Sequence, residues 1–281
     1  MSVLGVDIGG TNIRVGLVEN NAISKVESIK IKKDGSEIEI IGDLLSLIRK
    51  FKGADIHGIG IGVPSLVDPE EGIVYEATNI PSWKKVYLKM QIEKETGLPV
   101  YLNNDANCFV MGEKYFGKAQ NYKNIVGLIV GTGFGSGLIL NNHLYTGVNC
   151  GAGEFGMIPF KDNVLEYYCS GQFFNKKFGV SGEEIEQKAL LGDLNSLEIF
   201  SEFGNNLGDA IKIIMLSVDP DIFVLGGSVS KSFRFFSKSM WSSIRTFPFS
   251  NSVNKIKIEV SEINHIAILG AAALYLDAVE K

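Results

Sequence analysis

Residues 5–14 read Gly5-Val6-Asp7-Ile8-Gly9-Gly10-Thr11-Asn12-Ile13-Arg14, an acidic residue and a Gly-Gly-Thr turn held between two apolar runs. Val3-Leu4-Gly5-Val6 leads in and Ile13-Arg14-Val15-Gly16-Leu17-Val18 leads out with the alternation of a β-strand. A glycine turn by itself signals no more than a hairpin. Asp7 at the strand end, facing Thr11 across two glycines, adds chemistry. Backbone N–H groups freed by Gly9 and Gly10 form an anion-binding concavity, to which Thr11 adds a hydroxyl donor. A lone carboxylate would repel a phosphate there, so Asp7 implies a bridging Mg²⁺. The alternative is a plain hairpin with a solvated Asp7.

The design recurs. Ile125-Val126-Gly127-Leu128-Ile129-Val130 is an apolar strand, Gly131-Thr132-Gly133-Phe134-Gly135-Ser136-Gly137 a turn, and Leu138-Ile139-Leu140 a second strand entering the Asn141-Asn142 turn. A third junction, Gly226-Gly227, follows the strand Ile222–Leu225 and the turn Asp219-Pro220-Asp221. Each is a place where a ligand can approach the backbone closely. Neither a Walker lysine motif nor a G-x-G-x-x-G opening a helix is present: Gly133-Phe134-Gly135 runs into a strand.

With 281 residues, 45% hydrophobic and 21% charged, the chain can fill one or two cores. The net charge of −5 argues against nucleic acid or an anionic membrane as the main partner. No signal peptide and no apolar run of about 18 residues is evident, which predicts a cytoplasmic protein. Cys108, Cys150 and Cys169 are isolated and suit a reducing compartment. Periodicity predicts helices over about 37–51, 83–96, 106–115, 182–190, 194–217, 232–246 and 267–279, with strands over 56–63, 100–103 and 255–260. The polar run Gly117–Asn121 divides a first lobe, 1–117, from a second, 118–266.

The two strand–turn–strand loops resemble those of the actin/hexokinase/Hsp70 superfamily, and more narrowly the chain resembles the ROK family of bacterial sugar kinases. The matching segments are Asp7–Thr11, Asn103-Asn104-Asp105-Ala106-Asn107, Gly131–Gly137, Gly151-Ala152-Gly153-Glu154-Phe155-Gly156 and Asp219–Asp221 with Leu225-Gly226-Gly227, in the family's order. The resemblance implies a two-lobed α/β, ribonuclease H-like fold with a cleft between lobes, and a C-terminal helix, 267–281, that completes the first lobe. It implies ATP and Mg²⁺ as cofactors, a small-molecule sugar as partner, and a homodimer or higher homo-oligomer. Asp7, Gly9, Gly10, Thr11, Asn12, Thr132, Gly133 and Gly135 would hold the phosphates and, through water on Asp7, the Mg²⁺; Gly226 and Gly227 would lie near the adenosine.

Asp105 precedes a helix, where aspartate is a good cap, yet a carboxylate oriented by neighbours can also accept a hydroxyl's proton. The resemblance makes Asp105 the catalytic base and Asn104 a sugar contact. It likewise assigns Asn79, Glu154 and Glu166 to the sugar, with Ser65 replacing the glycine usual after Pro64. The expected reaction is phosphorylation of a hexose, glucose first; N-acetylmannosamine, N-acetylglucosamine, fructose and allose are the alternatives. A sugar-sensing regulator without catalysis would carry a helix-turn-helix ahead of the first loop, for which strand one at Val3 leaves no room. ROK members usually hold zinc through one histidine and three cysteines. Here Met157 takes the histidine position, Lys161-Asp162-Asn163 replaces the cysteine loop and Cys169 stands alone, so no zinc is expected. Packing by Phe155, Met157, Ile158, Phe160 and Leu165 should hold that loop instead.

Overall fold

Two five-stranded sheets organise the chain in a computed structural model that describes residues 1–77 and 79–280. The first contains β1 (Ser2–Ile8), β2 (Asn12–Glu19), β3 (Ala22–Lys30), β4 (Ile56–Val63) and β5 (Val100–Asn104), in the order β3-β2-β1-β4-β5. The second contains β6 (Ile125–Val130), β7 (Phe134–Leu140), β8 (His143–Leu144), β9 (Ile222–Gly226) and β10 (Lys257–Val260), in the order β8-β7-β6-β9-β10. In both, the first strand pairs antiparallel with its hairpin partner and parallel with the strand reached by a crossover. The repeated order gives the two-lobed, ribonuclease H-like α/β fold. The described residues divide into two compact units: Met1–Gln120 with Leu144–Ala152 and Ile263–Lys281, and Asn121–His143 with Gly153–Glu262.

Local chemistry explains most elements. Asn20 and Asn21, both in the left-handed region (φ 50° and 62°), close the β2–β3 hairpin, and Asn141–Asn142 (φ 53° and 71°) do the same after β7. Asparagine tolerates that region because its short amide bonds locally. Helix α1 (Glu37–Arg49) opens on a complete capping box between Ser36 and Glu39. Helix α2 (Leu88–Thr96) begins five residues later than its periodicity predicts. Trp83, only 1% exposed, is drawn into the first core, and the backbone pairs Glu76 N–H to the Lys84 carbonyl and Ala77 N–H to the Trp83 carbonyl hold the preceding stretch extended. Helix α3 (Asp105–Phe116) follows β5 directly. Its fully buried Glu113 accepts the Lys118 N–H at 3.0 Å, tying the helix end to the polar run that follows.

In the second unit lie α4 (Leu165–Cys169), α5 (Gly171–Phe178), α6 (Gly182–Leu190), α7 (Leu194–Val218), α8 (Phe233–Ile244) and the short α9 (Ser250–Lys255). A β-carbon on Gly204 or Gly208 of α7 would lie 2.4 or 2.5 Å from backbone carbonyl oxygens of α8, so these helices cross with almost no side chain between them. Helix α10 (Ile266–Glu280) belongs to the first unit and is buried continuously from Ile268 to Tyr275. It lies against β1 and β4, where β-carbons on Gly5 and Gly60 would sit 2.0 and 1.7 Å from the carbonyl oxygens of Ile268 and Ala271. Among the described residues no helix is long and apolar enough to cross a membrane.

Candidate functional site

In the first unit, β1, β4 and β5 are parallel, so their C-terminal ends share one edge, the place where ligands meet open α/β sheets. The register is specific: Asp7 stands opposite Gly62, and Gly62 opposite Asn103. Asp7 with its glycine turn and Asp105 at the head of α3 therefore occupy the same edge. Asp105 is exposed and is not the helix cap. Asn104 caps α3, its Oδ1 accepting the Asn107 N–H at 2.7 Å. Asp105 is the first helical residue, favourably placed by the positive helix end. Asn104 is 6% exposed and its carbonyl is committed to the cap, so its amide NH₂ is what it can offer a ligand.

The turn itself corrects one expectation. The Gly9 N–H donates to the Asn12 carbonyl at 3.0 Å, closing the turn, so that amide is spent internally. Asn79 packs against Gly10: a β-carbon there would lie 2.8 Å from Asn79 Nδ2. Its neighbour Thr78 lies outside the described residues. Burial raises the Asp7 pKa, while Arg14, 3.7 Å away, and His265 pull it down. Such a carboxylate beside exposed donors suits a Mg²⁺ bound mainly through water and phosphate oxygens, which asks for only one or two protein carboxylates. The Ser65 hydroxyl donates to the Tyr75 carbonyl at 2.7 Å, so it ties down its own loop.

The second unit repeats the arrangement. The Gly131 N–H closes its turn on the Gly133 carbonyl at 3.0 Å, and the Gly131 carbonyl accepts the Gly171 N–H at the start of α5 at 2.7 Å. Gly226 ends β9 in register with Ile129. Gly227, at φ 89°, presses on the Val130 carbonyl, where a β-carbon would come within 2.4 Å. Next to these lies a cavity of about 420 Å³, lined by Gly131, Thr132, Ser181, Glu186, Phe200 and Ser228 among others. The walls from α6 and α7 were not legible in the sequence, because those helices carry only ordinary caps and amphipathic faces.

Glu154 and Glu166 converge on the outgoing strand of this loop. Gly153 and Gly156, which flank Glu154, sit so close to β7 that β-carbons would lie 3.0 Å from the Ser136 carbonyl oxygen and 2.5 Å from that of Phe134. Ser136 Oγ also donates to the Gly153 carbonyl. Glu166 accepts the Phe134 N–H at 3.0 Å and Gln172 Nε2 at 2.7 Å, so both its oxygens have protein partners, with lone pairs to spare. Glu154 is exposed at its surface, yet the loop shields its carboxyl enough to raise its pKa; repulsion from Glu166 adds to this. If Glu154 must be ionised to accept hydroxyls, ligand affinity will fall as pH drops through that raised value. Taking the pH from about 8 to about 5 should raise the sugar KM, and Glu154→Gln should flatten the profile. A flat wild-type profile would count against this role.

No group of three or more His, Cys, Asp or Glu side chains among the described residues could hold a metal ion. The hairpin in the zinc-loop position departs from the expected apolar packing at Met157 and adds a polar clamp. Met157 is 63% exposed and contributes little, although Leu165 is fully buried. Instead Lys161 Nζ donates to Asn206 Oδ1 at 2.6 Å and lies over the rings of Phe160 and Tyr168, at 5.3 and 4.9 Å, while the Tyr168 hydroxyl donates to Asp162. Lys161→Ala should cost about 1–2 kcal/mol, read as a lower thermal midpoint. A zinc chelator with Mg²⁺ in excess should leave that midpoint unchanged. About one zinc per chain by elemental analysis would overturn this account.

The ROK family model matches residues 3–278, and the chain belongs to the ROK family. It is similar to a glucokinase of Thermotoga maritima, 28% identical over 99% of this chain and 98% of that enzyme. It is also similar to the xylose repressor of Bacillus subtilis, 31% identical over 98% of this chain and 77% of the repressor. Among solved structures, a ROK glucokinase of Streptomyces griseus in complex with glucose and AMPPNP superposes with a TM-score of 0.80, at 26% identity over 98% of this chain and 99% of that one.

Proposed function

We propose that the protein transfers the terminal phosphoryl group of ATP to a hydroxyl of a hexose, glucose being the first candidate. The observation that carries this reading is the register Asp7–Gly62–Asn103, which sets a phosphate-type glycine turn and the exposed Asp105 on one edge of one sheet. Gly10, Thr11, Thr132 and Gly133 would hold the phosphates, and the cavity beside Ser228 would take the adenosine. Mg²⁺ held near Asp7 would neutralise phosphate charge. Asp105 would receive the sugar hydroxyl's proton and aim its oxygen, since phosphoryl transfer is mostly positioning and charge stabilisation. Asn79, Asn104, Glu154 and Glu166 would hold the other hydroxyls; a site built from such groups rejects sugars that lack them. The glucokinase likeness supports glucose, and N-acetylhexosamines, fructose and allose remain the alternatives.

The likeness to a xylose repressor favours one other reading, a sugar sensor without catalysis. A coupled ADP-release assay over a panel of these sugars separates the two. Turnover with one of them supports the kinase. Sugar-induced thermal stabilisation with no ADP release from any sugar would establish the sensor instead.

A further inference from the structure

Cys150 sits where a glycine would be expected. Its φ is 54°, in the left-handed region that disfavours any β-carbon, and it is 1% exposed. The turn around it is closed by the Ala152 N–H on the Thr146 carbonyl at 3.1 Å. The thiol ties the turn to its neighbours. Cys150 Sγ donates to Asn103 Oδ1 at 3.2 Å, and Asn107 Nδ2 approaches the same sulfur at 3.7 Å. Asn103 Oδ1 is the hub: it also accepts the Asn104 N–H at 2.9 Å and Asn107 Nδ2 at 2.8 Å. One buried carbonyl oxygen thus fixes the residue before Asp105 and the turn that leads, two residues past Ala152, into Glu154.

We propose that Cys150 is a positioning residue for sugar binding: its thiol, held by Asn103 and Asn107, sets the turn Thr146–Ala152 against the head of α3. This rests on the kinase reading for its consequence, and on the hydrogen-bond geometry for its mechanism. Both Asn103 and Asn107 are buried, 4% and 0% exposed, so the tie is made away from bulk water.

Three variants test it. Cys150→Gly removes the tie but relieves the left-handed strain; Cys150→Ala removes the tie and keeps the strain; Cys150→Ser keeps a donor. The glycine variant should melt at or above the wild-type temperature while its sugar KM rises about tenfold and its ATP KM stays put. The serine variant should stay within roughly threefold of wild type for sugar. A merely structural cysteine would move stability and KM together. A wild-type sugar KM in Cys150→Gly, or a serine variant as impaired as alanine, would overturn the proposal. If the wild type phosphorylates no sugar, the kinase reading fails, and hydrogen exchange over 144–152 decides the tie. Faster exchange in the alanine and glycine variants but not in serine supports it, and equal exchange in all refutes it.

Discussion

Asp105→Asn is expected to lower kcat by about a thousandfold while leaving the sugar KM within a few-fold and lowering the thermal midpoint only slightly, a carboxylate at the helix start contributing about 0.3–1 kcal/mol. The swap preserves size and removes only the negative charge and proton acceptor, which matter chiefly during transfer. The structure sharpens the stability half of this expectation. Because Asn104 supplies the cap of α3, Asp105→Asn leaves the cap bond to Asn107 intact. Asn104→Ala is the contrasting variant: it should cost about 1 kcal/mol of stability through the lost cap and raise the sugar KM. A fall in kcat of less than about tenfold for Asp105→Asn would remove it from the role of base.

Gly270→Val is expected to destabilise the first unit by more than about 4 kcal/mol. A β-carbon on Gly270 would lie 1.7 Å from the Cys108 carbonyl oxygen and 2.5 Å from its carbon. These are backbone atoms of α3, so no rotamer change relieves the clash. On the facing helix Gly112 is equally confined, a β-carbon meeting the Ile266 carbonyl oxygen at 2.9 Å. Separating α3 and α10 would in turn lift α10 from Gly5 and Gly60. Thermal or denaturant unfolding reads the loss. Gly42→Val is the matching control at an uncrowded helical glycine, where a β-carbon meets nothing within 4 Å; it should be neutral or slightly stabilising, valine being the better helix former. Equal effects at the two positions would show that α10 does not dock as described.

The sequence by itself determined the local pieces: the strand–turn–strand pairs around Gly9-Gly10-Thr11 and Gly131–Gly133, the Asn141-Asn142 turn, and the long helices. These depend on side-chain period and on backbone freedom at single residues, which neighbours a few positions away decide. The order of the motifs likewise sufficed for the family. Tertiary structure alone decided which pieces meet. Asp7 and Asn103 share an edge only through β4, and Glu166 reaches the backbone of Phe134 across a long chain separation. The sequence suggests Asp105 as the cap of a helix from about 106, since aspartate caps well; the φ of −70° and ψ of 162° at Asn104 make Asn104 the cap instead. The Lys161 clamp and the Cys150 tie were invisible for the same reason. Each is a bond between residues distant along the chain, and its partners are chosen by packing within one unit rather than by any pattern near Lys161 or Cys150 themselves.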